Sequence, residues 1–98
     1  MAKTFELNGK KYKAKAFDFN LICEFEDMGI SLADLAKKPM STVRAYFAMC
    51  HGESVEVAGK EMEQHLINGG NFDDVILAMN EEMEKSDFFR SLSKTTEA

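Results

Sequence analysis

Cys23, Cys50, His51 and His65 are the side chains best suited to nucleophilic or metal chemistry in this chain of 98 residues. Structural zinc sites draw on close pairs such as C-x₂-C, and the sequence holds no such pair. Cys50 and His51 are neighbours, so on a helix their side chains diverge by about 100° and do not converge on one ion. Cys23 and Cys50 fall on or beside apolar stripes, where a free thiol packs as a small hydrophobe. The one nucleophile–base pairing worth naming is Cys50 with His65. Cys50, however, lies near a helix C-terminus, whose partial negative charge opposes a thiolate. The chain has no G-x-S-x-G, no H-E-x-x-H and no glycine loop leading from a strand into a helix. Gly69-Gly70 follows a helical pattern and reads as its stop. The expectation is a protein that is not an enzyme, with no catalytic, cofactor-binding or metal-binding residues.

Charge narrows the partners. Acidic residues outnumber basic ones 17 to 12, a net charge of −5, which argues against the broad basic field that holds nucleic acid. Lys3, Lys10, Lys11, Lys13 and Lys15 make the N-terminus locally basic, but Phe5 and Tyr12 fall on the opposite face. A solvated strand face that discourages edge pairing is the simpler reading, and a dock for an acidic partner the other. No apolar run approaches the ~18–20 residues that span a bilayer, so no membrane is expected. The first residues lack a signal-peptide core, and two cysteines fit a reducing cytosol. The informative excess is apolar: 7 Met and 8 Phe, with no Trp, supply many adaptable side chains. Met40, Tyr46, Met49, Phe88 and Phe89 are the positions least accounted for by one compact core and are the candidate partner-binding residues. Glu81, Glu82 and Glu84 read as a solvated helix face.

The elements that must position them follow from periodicity. Residues 3–16 predict a β-hairpin about an Asn8-Gly9 type I′ turn, pairing Leu7 with Lys10, Phe5 with Tyr12 and Lys3 with Ala14. Phe5, Leu7, Tyr12, Ala14 and Ala16 would share the apolar face, and Lys11, Lys13, Lys15 and Glu6 the wet one. Asp18 predicts the cap of a helix to about Met28, with stripe Leu21, Ile22, Phe25 and Met28 and Gly29 as its stop. Ser31 and Asp34 resemble a capping box for a short helix, Leu32 to Lys37, ended by Pro39. Ser41 would cap a third helix carrying Val43, Tyr46, Phe47 and Cys50. Ser54 opens a fourth, with Val55, Ala58, Met62 and Leu66, and Gly59 inside it costs about 1 kcal/mol against Ala. Asn71 would cap a fifth, carrying Phe72, Val75, Ile76, Met79 and Met83. Beyond Ser86 the apolar pattern decays; Asp87-Phe88-Phe89 can continue a helix, and Ser91 to Ala98 is polar and reads as frayed. The predicted fold is α+β and predominantly helical: one domain over 3–86, with hairpin 3–16, about five short helices over 18–86, and a flexible tail over 87–98.

The order of these features resembles a known family. The hairpin followed by Phe17-Asp18-Phe19-Asn20-Leu21-Ile22-Cys23-Glu24-Phe25-Glu26-Asp27-Met28-Gly29-Ile30 and Ser31-Leu32-Ala33-Asp34-Leu35 looks like the tail assembly chaperones of long-tailed bacteriophages and prophages. Those proteins typically carry an F-D-F-N-x-L-C-x-L-E-E-x-G type segment after the hairpin. Val43-Arg44-Ala45-Tyr46-Phe47-Ala48, the glycine-punctuated stretch 54–68 and the closing stretch 72–86 resemble their later helices. The likeness covers roughly residues 3–90 and departs at Phe25, where Leu is commoner, and at Val55-Glu56-Val57, where a more acidic first turn is usual. It implies a non-catalytic chaperone that coats the tape measure protein and helps recruit tail tube subunits; self-association is a separate expectation. Such a protein would work in the cytoplasm of the bacterial host and be absent from the mature virion. The alternatives are a structural head–tail or tail-terminator subunit retained in the particle, or a small host adaptor.

Overall fold

The computed structural model describes residues 4–91. Asn8 and Gly9 both take positive φ, 53° and 80°, the backbone of a type I′ turn, and they join β1 (Thr4–Leu7) to β2 (Lys10–Lys13). The register is Leu7 with Lys10, Phe5 with Tyr12 and Thr4 with Lys13, as the spacing predicts. The predicted Lys3–Ala14 pair involves a residue outside the described ones. Phe5 and Leu7 are buried and Lys11, Lys13, Lys15 and Glu6 exposed. Ala16 is a correction: it is exposed, because β2 ends at Lys13 and residues 14–18 leave the sheet as an irregular linker.

Helix α1 (Phe19–Asp27) starts where the Asp18 carboxylate accepts the Leu21 N–H at 2.9 Å. It ends in a Schellman turn: Gly29 has φ 87°, and the Gly29 and Ile30 N–H groups return to the Glu26 and Phe25 carbonyls. Ile30 and Phe25 are both buried, the apolar contact that accompanies this turn. Met28, predicted on the stripe, is 39% exposed.

The next boundaries differ from expectation. Helix α2 is shorter than the predicted Leu32 to Lys37 and covers Asp34–Lys37. Pro39 does not merely end it but opens α3 (Pro39–His51) as the first helical residue, and Ser41 lies inside the helix rather than capping it. A proline at this position forfeits only an N–H that would be unpaired anyway, and Lys38 in front of it lies outside the helical region, at φ −123° and ψ 68°. Helix α4 (Val55–Ile67) is capped by Ser54, whose hydroxyl accepts the Val57 N–H at 3.2 Å. Helix α5 covers Asp73–Glu84 with Phe72 at the cap position. Asn71 contributes a tight side-chain turn onto the Asp73 N–H instead of the cap.

The predicted tail begins with a helical turn. Residues 87–91 form a sixth helical segment, α6, started by Ser86, whose hydroxyl accepts the Phe89 N–H at 3.2 Å and donates to the Phe17 carbonyl. The rest of that tail, 92–98, lies outside the described residues. The fold is thus a hairpin followed by helices around one core.

The hairpin is held to the helices at both ends. Tyr12 packs edge-on to Phe47 at 5.0 Å, and its hydroxyl donates to Glu61 at 3.1 Å. At the turn, the Asn8 N–H donates to Nδ1 of His65 at 3.0 Å, which places the ring proton on Nε2, 2.9 Å from the Asn71 carbonyl. A methyl group on Gly70 would overlap that ring. Gly70→Ala is therefore expected to destabilise the chain by about 1–3 kcal/mol, as over-packing does. His65→Ala in the same chain removes the overlap, so urea denaturation of the two single variants and the double variant should show strong non-additivity. Additive losses would mean that the ring is not clamped where it stands.

Candidate functional site

Cys50, His51, His65 and Tyr46 are occupied in packing and hydrogen bonding, and Cys23 is a half-buried free thiol on α1. Tyr46 is buried between the linker and the core, and its hydroxyl donates to the Lys15 carbonyl at 2.6 Å. Burial pushes the Cys50 thiol above its ordinary value, so it stays protonated and is a poor nucleophile. His65, the base considered for it, already uses both ring nitrogens on Asn8 and Asn71. His51 lies against Tyr12 and Phe47, with Nε2 3.4 Å from the Glu61 carboxylate. Glu61 also receives Tyr12 and stands 3.9 Å from Lys10 Nζ, which makes it a clamp between hairpin and helix. Among the described residues, no three His, Cys, Asp or Glu side chains converge as a metal site, and no helix is long and apolar enough to cross a membrane.

The structure divides the five candidate partner-binding residues. Tyr46 is fully buried and unavailable to any partner, so its selection is corrected. A phenol that reaches a backbone carbonyl across the core is fully accounted for by folding. Phe89 packs edge-on to Phe17 at 5.3 Å, and Phe88 against Phe19 at 5.7 Å. Met49, Phe88 and Phe89 are half-buried side chains against the core. They are not spare. Met40 alone stands clear of the interior, 58% exposed.

Met40 lies at one end of an open groove of about 460 Å³ between α3 and α4. Its apolar surface comes from Met40, Val55, Met62, Leu66 and Phe72, with Ser41 and the stem of Arg44 on the α3 bank. Leu66 was predicted as a core position but is 48% exposed here, because the stripe of α4 turns from the interior into the groove. Gly59 lines the groove, and a Cβ there would approach Arg44 Cδ to 3.3 Å, so the missing side chain leaves room for the Arg44 stem. The sequence reading did not single out Arg44, Gly59, Lys60 or Phe72 for this site. Gly59, an unfavoured residue inside a helix, was the available signal.

The chain was compared with family models, curated proteins and solved structures, and none of the three matches it.

The buried phenol has a measurable consequence. Burial first, then the neighbouring Cys50 and Glu82, hold the Tyr46 hydroxyl well above its ordinary value of 10.0. The Cys50 thiol moves in the same direction from 9.0. The native chain thus keeps these protons to higher pH than the unfolded chain. The stability they confer is complete below about pH 8 and falls as pH rises through the unfolded values. Above pH ~10 the unfolding free energy should drop by up to about 1.4 kcal/mol per pH unit for Tyr46 alone. Tyr46→Phe should flatten that slope in guanidinium titrations from pH 7 to 11. An unchanged slope would refute the assignment.

Proposed function

We propose that this domain is a non-catalytic assembly chaperone that shields the apolar face of a helical client, the role held by the phage tail assembly chaperones that its sequence resembles. The client is then the tape measure protein, and tail tube subunits are the next partners recruited. The observation that carries this reading is the groove between α3 and α4, where the exposed side chains of Met40 and Leu66 line one apolar strip. Apolar grooves between helices accept amphipathic helices, and methionine adapts to clients that are not identical along their length. Each contact of this kind is modest. Many copies on one long client would hold it through avidity and still release it as the tube closes around it. A net charge of −5 keeps a coated client dispersed.

Met40→Asp tests this reading cleanly. Met40 lies in the first turn of α3, where an acidic side chain is favoured by the helix dipole, so the fold should lose less than about 0.5 kcal/mol. Co-expressed with a phage tape measure protein that the native chain keeps soluble, the variant should lose co-purification and leave the client insoluble. Phe89→Ser should instead lower the thermal midpoint, since Phe89 packs on Phe17. A Met40→Asp variant that retains the client, or detection of this chain in purified virions at tube stoichiometry, would overturn the proposal.

A further inference from the structure

The groove carries charge as well as apolar surface. Arg44 stands on the α3 bank, and Glu56, Lys60 and Glu63 stand on the α4 bank, all exposed. Among the described residues, the ion pairs within reach are Lys10–Glu61, Lys38–Asp34, His51–Glu61, Lys85–Glu82 and Arg90–Asp87. None involves a charge of the groove. Glu56 and Lys60 even have the i,i+4 order that favours pairing on a helix, yet they are not paired. The two banks differ in sign: one cation on α3, and a net single negative charge on α4.

We infer that the groove selects a partner helix whose apolar stripe is flanked by acidic residues on one edge and basic residues on the other. This inference rests on the helix-shielding reading above and adds the chemistry of the partner. The acidic edge faces Arg44 and the basic edge faces Glu56 and Glu63. From Val55 to Leu66 the α4 bank runs roughly 16 Å, so the docked segment is about three turns long. The apolar floor supplies affinity, and the banks supply orientation and discrimination. A helix with basic residues on both edges would set one of them against Arg44, and a helix with acidic residues on both would face Glu56 and Glu63.

The test uses three capped synthetic helices of about 15 residues with the same leucine stripe. One has an acidic and a basic edge, one is basic on both edges, and one is acidic on both. Binding to the whole chain is read by fluorescence anisotropy. The split-edge helix should bind about three- to tenfold more tightly than either uniform one, the sum expected of a few exposed ion pairs. That preference should vanish in concentrated salt while binding itself persists. Arg44→Glu makes both banks acidic and should move the preference to the doubly basic helix. Arg44→Gln should lower the split-edge affinity without that reversal. A loss of folding alone would lower all three affinities together and leave their order intact.

Equal binding of the three helices to both proteins would overturn the charge assignment and leave the groove reading standing. Binding unaffected by Met40→Asp, or no binding at all, would overturn both. A chain that sediments as a dimer and becomes a monomer on Met40→Asp would place a second copy in the groove and overturn the partner proposed.

Discussion

The hairpin and the helices are joined by the extended linker 14–18, and two of its carbonyls are where they are tied. Lys15 accepts the Tyr46 hydroxyl from α3, and Phe17 accepts the Ser86 hydroxyl from the start of α6. A linker of this kind has no strand partner and no helix to satisfy its backbone, and a buried carbonyl without a donor costs ~1–3 kcal/mol. Side chains from distant parts of the sequence therefore complete it. Between these ties, Phe17 inserts its ring against Tyr46 at 5.2 Å, Phe25 at 6.0 Å and Phe89 at 5.3 Å. One aromatic residue on an irregular stretch thus organises α1, α3 and α6 together.

This arrangement explains which parts of the fold were legible in the sequence. The Asn8-Gly9 turn, the Asp18 and Ser54 caps and the Gly29 stop are local devices, decided by a few consecutive residues, and each stands where the spacing puts it. Pro39 was ambiguous because a proline signals both the end of one helix and the first residue of the next. Only the lack of room between α2 and α3 selects the second. The 87–91 segment was only partly legible, since Asp87-Phe88-Phe89 allowed a helix without fixing one. Its own stripe is too short to declare a helix, and its order comes from Ser86 and from the ring of Phe17, many residues away. Tyr46 was misread in the same way, since its partner is a backbone carbonyl and no side-chain pattern reveals one.

The groove was partly legible. Met40 departed from every apolar stripe, and that departure was the correct sign of a residue outside the core. What no periodicity could show was its neighbourhood. Gly59 reads as a weak point of α4 when helix propensity alone is weighed, at about 1 kcal/mol against Ala. In the folded chain it is the position beside which the Arg44 side chain lies, and a Cβ there would press on Arg44 Cδ at 3.3 Å. The local rule is broken where an open surface is formed, as expected when a site and the fold compete for the same residue.

The position of the groove follows from how the remaining elements are used. The hairpin covers the C-terminal half of α3 through Tyr12, Phe47 and His51, and Glu61 clamps it to α4. Helix α2 is fixed to α3 through Thr42 and the Leu35 carbonyl. Toward the N-terminus of α3, Phe72 is the one groove-lining residue from outside α3 and α4. The chain thus leaves part of its longest helical pair uncovered, and there the interior stripe of α4 emerges as Leu66. An uncovered apolar strip costs free energy in water, yet its unpaired charged banks keep it from reading as a simple sticky patch. Affinity from a small apolar floor and discrimination from weak exposed pairs are each modest and each reversible, a combination suited to a client that must be held along its length and later released.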